Sequence, residues 1–143
     1  MWTKSHSLIT DKVTKEQIWK LFEDVNQWHQ WDTGIEYAKL NGKFEKGNYF
    51  TLKPKGGPEV KVELLETKPY DSFLDLTRFP LAKMYDNHSF ENTPEGLKIT
   101  NTISVSGILS FLWIKLVAKK IAESMPEDMI KQIERASMLS FIK

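Results

Sequence analysis

The sequence predicts an α+β domain in which a seven-stranded antiparallel sheet packs against a long C-terminal helix. Two observations lead to this prediction: strand-length segments are separated by turn residues, and the last third of the chain is rich in helix formers without strand alternation. The 143 residues are one domain's length, so residues 1–143 are predicted to form a single unit. Hydrophobic residues make up 41% of the chain, which is typical of a globular protein.

Residues 2–10 are predicted to form the first strand, and a helix follows it. Thr14 and Gln17 form a Thr-x-x-Gln capping box, which satisfies free amides at a helix start. Apolar residues then recur at helical spacing, at Ile18, Leu21, Phe22, Val25 and Trp28. One face of this helix is therefore buried. Trp31 lies beyond it, and residues 32–34 supply a turn or a short second helical piece.

Turn residues divide the chain from Ile35 to Gly107 into six further strands. Clusters of glycine, proline and asparagine mark the turns. The predicted strands are 35–41, 48–54, 59–67, 72–79, 83–91 and 97–106. The third and the last of these alternate between apolar and polar residues, which predicts a sheet that is buried on one face and wet on the other.

The inward face of residues 72–79 stays open at this level. Leu74 and Leu76 compete with Phe73 and Phe79 for the inward positions. Successive side chains of a strand point to opposite faces, so a shift by one residue exchanges the two sets. The choice decides whether Asp75 or Arg78 points into the interior.

The last third is predicted to cover the buried face with helical segments 108–123 and 126–141. Ser124 and Glu127 form a second capping pair around Pro126, so we expect a break or a kink there. The final helix is predicted to turn apolar residues inward, namely Met129, Ile130, Ile133, Ala136 and Phe141. The segment Ile108 to Ala118 is apolar nearly all round. It either packs against the open end of the sheet or stays partly exposed as a lid, a dimer face or a membrane-touching patch.

Composition and motifs exclude several function classes. Lys and Arg number 20 against 19 Asp and Glu, so the chain has no broad positive field for nucleic acid. The absence of cysteine removes disulfides and thiolate sites and favours a cytoplasmic location. No apolar run approaches the about 20 residues of a membrane span, so no transmembrane segment is predicted.

No motif for a bound cofactor or metal is present. The sequence lacks a Gly-x-Ser-x-Gly elbow, a phosphate loop and a dinucleotide fingerprint, so no cofactor is predicted. His6 and His29 lie apart from any matching carboxylate spacing and are interpreted as surface residues. No metal site is predicted.

Several short motifs occur in a characteristic order along nearly the whole chain. They are Ile18-Trp19 with Phe22, Trp28-His29-Gln30-Trp31-Asp32, Leu40-Asn41-Gly42-Lys43-Phe44, His88-Ser89-Phe90-Glu91 and Ser106-Gly107-Ile108-Leu109. In this order the sequence resembles the START-like (SRPBCC) superfamily, specifically its polyketide cyclase/dehydrase and lipid-transport group, relatives of pollen allergens that bind plant hormones and flavonoids. The resemblance implies the helix-grip fold, in which a curved sheet wraps around the C-terminal helix and a hollow. It also places Trp28 and Trp31 at the mouth of that hollow, either as a plug or as the lining of an entrance.

The strands suggest where polar groups meet inside this hollow. If Met84 and Phe90 face inward, Asp86 and His88 do so too, and Asn101 accompanies the inward residues of the next strand. These groups either satisfy one another or face water, or else His88, oriented by Asp86, acts as a general base. The predicted ligand-binding residues are Trp28, Trp31, Val62, Leu64, Met84, Asp86, His88, Phe90, Asn101, Ile103, Ile130 and Ile133.

Three functions are compatible with this picture. The first is binding or transfer of a small hydrophobic ligand, such as a lipid, an isoprenoid or an aromatic polyketide-like compound. The second is a cyclase or dehydratase that uses His88 or Asp86 as its base. The third is a protein-interaction module, co-chaperone-like or toxin-like, that uses the segment Ile108 to Ala118. The expected partner is a small hydrophobic molecule, with transient membrane contact allowed, and the chain is expected to be a monomer or a weak homodimer.

Overall fold

A computed structural model describes residues 1–139 and shows seven strands in one antiparallel sheet. The strands are β1 (Trp2–Thr10), β2 (Ile35–Asn41), β3 (Tyr49–Pro54), β4 (Val60–Lys68), β5 (Ser72–Phe79), β6 (Ala82–Thr93) and β7 (Gly96–Ser106). Their order in the sheet is β1-β7-β6-β5-β4-β3-β2, which leaves β1 and β2 as open edges. Every predicted strand is confirmed, with small shifts at some ends.

The helices lie between β1 and β2 and after β7. They are α1 (Lys15–Glu23), a 3₁₀ helix (Val25–Gln30), α2 (Ser110–Trp113), a π-helical turn (Ile114–Ala118) and α3 (Lys119–Ser137). The predicted capping box at the start of α1 is confirmed. The Thr14 hydroxyl accepts from the Gln17 amide at 3.2 Å, and the Gln17 side-chain carbonyl accepts from the Thr14 amide at 2.9 Å.

Of the predicted break or kink at Pro126, the break is wrong, because α3 runs through this residue without interruption. Ser124 caps no new helix: its hydroxyl lies 3.1 Å from the carbonyl oxygen of Ile121 and 2.8 Å from a carboxylate oxygen of Asp128. Proline lacks the N–H of one helical bond. Nevertheless the helix continues, since one buried stripe with Met125 and Met129 extends along it on both sides of the proline.

Ile130 is not part of this stripe, so its predicted inward position is wrong. It is 53% exposed, whereas Met129 and Ile133 are buried. One residue turns a helix by about 100°, so Ile130 lies off the face that Met129 and Ile133 share. Phe141, predicted to point inward on the same helix, lies outside the described residues.

One face of the sheet, called the inner face from here on, packs against the helices. Its buried side chains include Phe73, Phe90, Ile99 and Ile103, and the ring of Phe22 from α1 lies on Phe73 and Phe90. The opposite face carries a polar ladder, in which hydroxyl pairs from β1 and β7 lie 2.8 to 3.2 Å apart. The predicted division into a buried and a wet face is therefore confirmed.

The structure settles the inward face of β5. Phe73, Asp75 and Thr77 point to the inner face, and Arg78 is exposed. Aromatic contacts explain this choice, since the Phe73 ring lies 5.1 to 6.1 Å from the rings of Trp19, Phe22 and Phe44. Such contacts are worth more than the burial of a leucine in the same place.

The segment Ile108 to Ala118 combines the two interpretations left open above. Trp113 packs on the sheet end, with its ring 4.4 Å from that of Phe79. Ile108, Phe111 and Leu116 remain exposed. Part of the segment thus belongs to the core, and part of it is free apolar surface.

Gly107 is needed where β7 leads into α2. Its φ is +114°, and an added Cβ would lie 2.6 Å from the carbonyl oxygen of Leu81. We expect Gly107→Ala to lower the free energy of unfolding by roughly 1–3 kcal/mol more than Gly47→Ala does. Gly47 has a φ of +94° but no atom within 4 Å of an added Cβ, so it is the control for backbone strain alone. Equal losses in urea denaturation would show that the close contact with Leu81 is unimportant.

Candidate functional site

Four polar residues meet on the inner face of the sheet. The register of β5, β6 and β7 places Asp75 opposite Asp86, and His88 opposite Asn101. Directly opposite residues in an antiparallel pair share a face, so these side chains form one patch, called the polar cluster from here on. Apolar residues flank it in the same rows: Leu64 is opposite Asp75, Ile103 is opposite Asp86, and Phe73 is opposite His88.

Asn101 orients the carboxylate of Asp86. The Asn101 side-chain amide donates to Oδ1 of Asp86 at 2.5 Å and to the main-chain carbonyl of Asn87 at 3.2 Å. Nε2 of His88 lies 3.4 Å from the same Asp86 oxygen. The His88 ring is stacked on Phe73, with centroids 4.6 Å apart, and its other neighbour is Phe22 at 4.8 Å. The imidazole is therefore held by aromatic packing, with one nitrogen toward Asp86.

Asp75 is the unusual member of the polar cluster. It is only 7% exposed, and burial, followed by the negative charge of Asp86, raises the pKa of its carboxyl well above the ordinary value. No hydrogen bond from the described residues stabilises its charged form. Yet no fully enclosed polar side-chain atom in residues 1–139 lacks a partner. The Asp75 oxygens must therefore border a space that a water molecule can reach.

Most residues predicted to bind ligand lie on the inner face or pack against it. Asp86 and Trp31 are half-buried, and Ile130 is exposed on the far side of α3. The buried ones are Trp28, Val62, Leu64, Met84, His88, Phe90, Asn101, Ile103 and Ile133. The structure thus brings Asp86, His88 and Asn101 together as the strand period predicts. Ile130 is not part of this inner face.

The paired tryptophans have different environments. Trp28 is buried, donates from Nε1 to the carbonyl of Phe22 at 3.0 Å, and packs edge-on against Phe50 at 5.0 Å. Trp31 is half-buried and lies 6.1 Å from the ring of Phe22. Trp28 is therefore part of the packed core, and Trp31 covers the Phe22 ring from the solvent side.

Sequence alone does not place two residues of this region. It does not choose between Asp75 and Arg78 as the inward residue, because both sets of alternate β5 positions carry two large apolar side chains. His6 is on edge strand β1 and half-buried, and its position opposite Asn101 puts it on the inner-face side of that strand. His29 is exposed, as expected.

Comparison with protein families identifies the chain's relatives. A family model described as polyketide cyclase / dehydrase and lipid transport matches residues 3–136. The chain belongs to this family. The fold of the family is one that binds hydrophobic ligands, which agrees with the mainly apolar inner face. No curated protein matches the chain.

Solved structures show the same fold at low sequence identity. Protein MLL2253 from Mesorhizobium loti is 12% identical with a TM-score of 0.74, over 98% of this chain and 100% of that one. Norcoclaurine synthase from Thalictrum flavum, solved with dopamine and hydroxybenzaldehyde, is 13% identical with a TM-score of 0.73, over 99% and 89%. Ara h 8.0201 is 12% identical with a TM-score of 0.72, over 94% and 97%. At these identities the likeness concerns the fold alone.

The helices of this family member do not suggest a membrane span. In residues 1–139 no helix has both the length and the apolar character that crossing a bilayer requires.

Proposed function

We propose that the chain binds a small, mainly apolar ligand with one polar end, and that the polar cluster anchors that end. The observation that supports this most is Asp75, a buried carboxyl that receives no hydrogen bond from residues 1–139. Buried polar groups are almost always hydrogen-bonded, so this one calls for a partner from outside the chain. Small-molecule sites combine an apolar lining with a few such anchors.

The two carboxyl groups suggest what the polar end contains. A raised pKa keeps Asp75 protonated to a higher pH than an ordinary aspartate, so its carboxyl can donate a hydrogen bond. Asp86, oriented by Asn101, accepts one. A ligand oxygen, either carbonyl or hydroxyl, suits this pair. The family supports a lipid, an isoprenoid or an aromatic polyketide-like compound as the apolar part.

The Phe22 ring covers part of the polar cluster. Phe22 of α1 lies against His88, Phe73 and Phe90 and is itself buried. The start of α1 is tied to the end of α3 through Gln17, whose side chain donates to the carbonyl of Leu139 at 3.0 Å. A shift of α1 away from the sheet would open space directly above the polar cluster.

The test begins with native mass spectrometry of the purified protein, followed by organic extraction and identification of what is released. We expect an apolar compound of reproducible mass that contains a carbonyl or hydroxyl group. Asp75→Leu should weaken binding of that compound about tenfold, since one hydrogen bond is lost. Asn87→Leu is the control, because Asn87 is on the same strand as Asp86 but on the opposite face. A ligand-free protein that also binds no apolar fluorescent probe would contradict the proposal.

An enzymatic function of the cyclase or dehydratase type is the second candidate. The Asp75 and Asp86 pair favours it, because one carboxyl that holds a proton beside another that accepts one can serve proton transfer. The predicted base, His88, is stacked on Phe73, lies against a tilted Phe22 ring, and approaches Asp86 at 3.4 Å. The extracted compound is the substrate with which to distinguish an enzyme from a binding protein. Turnover that is lost in Asp75→Asn and His88→Ala while binding persists would support an enzyme, and unchanged compound after incubation would exclude it for this ligand.

A further inference from the structure

One end of the sheet presents a group of apolar side chains to solvent. Leu81, in the turn between β5 and β6, is 63% exposed, and Ile108 and Phe111, at the start of the C-terminal helical region, are 80% and 69% exposed. The two segments are joined, because the Leu109 amide donates to the carbonyl of Leu81 at 3.0 Å. These three side chains are called the apolar corner from here on.

The backbone of the apolar corner is held in place by its neighbours. The Trp113 ring stacks on Phe79 at 4.4 Å, and its Nε1 donates to the carbonyl of Pro80 at 2.9 Å. Gly107 packs so closely on Leu81 that no Cβ fits between them. The apolar corner is therefore a fixed surface and not the tip of a loose loop.

Leu81 adopts a conformation that is unfavourable for leucine. Its φ is +58°, in the left-handed region where glycine and asparagine are preferred. A residue that is both strained and exposed contributes little to folding. Such an outlier suggests that the apolar side chain has a role at this position.

Basic residues outnumber acidic ones around the apolar corner. Lys83, Lys115, Lys119 and Lys120 are exposed, and the first two lie within four residues of corner side chains. No acidic residue occurs between Asp75 and Asp86 or between Glu95 and Glu123, although the whole chain has 20 basic and 19 acidic residues. Arg78 also lies here, where it pairs with Glu63 at 2.7 Å.

A shallow depression of about 450 Å³ lies beside the apolar corner. Its lining includes Arg78, Lys83 and Ser106, together with Leu81. Arg78 is already paired with Glu63, but Lys83 and the Ser106 hydroxyl next to an exposed leucine suit a phosphate group that is attached to an apolar chain.

We propose that the apolar corner docks on the surface of an anionic lipid membrane. In this arrangement Leu81, Ile108 and Phe111 enter the interface, and the neighbouring lysines lie against lipid phosphates. Apolar side chains flanked by Lys and Arg have the composition of surfaces that bind anionic bilayers peripherally. The inference is independent of the proposed ligand. It complements that ligand, however, because the inner-face row of β5 ends at Phe79, under the apolar corner.

The test is flotation of the full chain with lipid vesicles. We expect binding to vesicles of phosphatidylcholine mixed with phosphatidylserine, a marked loss of binding at high salt, and little binding to phosphatidylcholine alone. Lys83→Ala and Lys115→Ala should each weaken binding about fivefold. Lys12→Ala is the control, since Lys12 is an exposed lysine after β1, at the opposite end of the sheet.

The apolar contribution is tested in the same way. Phe111→Ser should reduce binding, whereas Ile9→Ser should not, because Ile9 is 49% exposed near the far end of β1. Leu81→Gly separates docking from folding: it should raise the melting temperature by relieving the positive φ and at the same time weaken vesicle binding. A purely structural role for Leu81 would not give these opposite changes.

Three results would overturn the proposal. The first is equal binding to neutral and anionic vesicles, and the second is vesicle binding that Phe111→Ser and Lys115→Ala leave unchanged. The third is a protein that does not bind vesicles but sediments as a dimer, with Phe111→Ser returning it to a monomer. The apolar corner would then be a contact between two copies.

Discussion

Replacing Phe22 with alanine is expected to lower the free energy of unfolding by about 3–5 kcal/mol. Phe22 is 2% exposed, and its ring centroid lies 4.8 to 6.3 Å from those of five aromatic side chains. These neighbours are Trp28, Trp31, Phe73, His88 and Phe90. The truncation removes the contacts of the ring and leaves a cavity that rigid strands and packed helices cannot close.

Urea denaturation with Phe111→Ala as the control checks this expectation. Phe111 undergoes the same chemical change at a position that is 69% exposed, so its effect should stay within about 0.5 kcal/mol. If the two variants lose the same free energy, Phe22 is not the centre of the aromatic cluster. The folded Phe22→Ala protein should also take up more of an apolar fluorescent probe, because the new space lies over the polar cluster. No gain in uptake would count against ligand access through α1.

The second large effect is expected at Asp75, where Asp75→Asn should raise the free energy of unfolding near neutral pH by roughly 1–3 kcal/mol. The substitution keeps the shape of the side chain and removes its charge. Asparagine can donate from its amide to Asp86, which faces it directly across the strands. The native protein holds a buried carboxyl beside the negative charge of Asp86. In the variant a neutral amide donates a hydrogen bond to Asp86 instead.

The contribution of Asp75 to the free energy of unfolding depends on pH. Burial and Asp86 raise the folded-state pKa of Asp75 above its unfolded value, so the folded state binds this proton more tightly. The native protein therefore loses stability from this group as the pH rises from the unfolded pKa through the folded pKa. Below the ordinary value of 3.8 both states are protonated, and this ionisation no longer contributes to the difference between variant and native protein.

Unfolding free energies across this pH range test the prediction, with Asp71→Asn as the control. Asp71 is exposed and pairs with Lys15 at 2.8 Å, so its change should cause a loss of up to about 1 kcal/mol and not a gain. A stability gain for Asp75→Asn that does not grow as the pH rises would mean that Asp75 is not the buried acid described above.

Many elements of this fold could be predicted because their signals are local. The capping box of Thr14 and Gln17 marks the start of α1, and alternation within β4 and β7 marks a sheet with one wet face. Such patterns depend only on the backbone geometry of one element. The same strand period correctly placed Asp86, His88 and Asn101 on one face.

Other features depended on neighbours that are distant in the sequence. Ser124 and Pro126 form a valid local signal for a helix start, yet burial of Met125 and Met129 on one stripe keeps α3 continuous. Ile130 is as apolar as Ile133, but only Ile133 faces the core. A residue's hydrophobicity does not say which side of an element its partners occupy.

The candidate site likewise has features that local sequence patterns predict and features that depend on distant contacts. Local sequence patterns predict the class of fold, the seven strands, the covering helical region and three of the four residues of the polar cluster. Contacts between elements are needed to place Asp75 as the fourth, because both sets of alternate β5 positions are apolar and the packing of Phe73 selects between them. They also decide that Ile108 and Phe111 remain exposed while Trp113 is covered by Phe79. Burial and charge pairing arise from contacts between elements, and a single strand or helix does not contain that information.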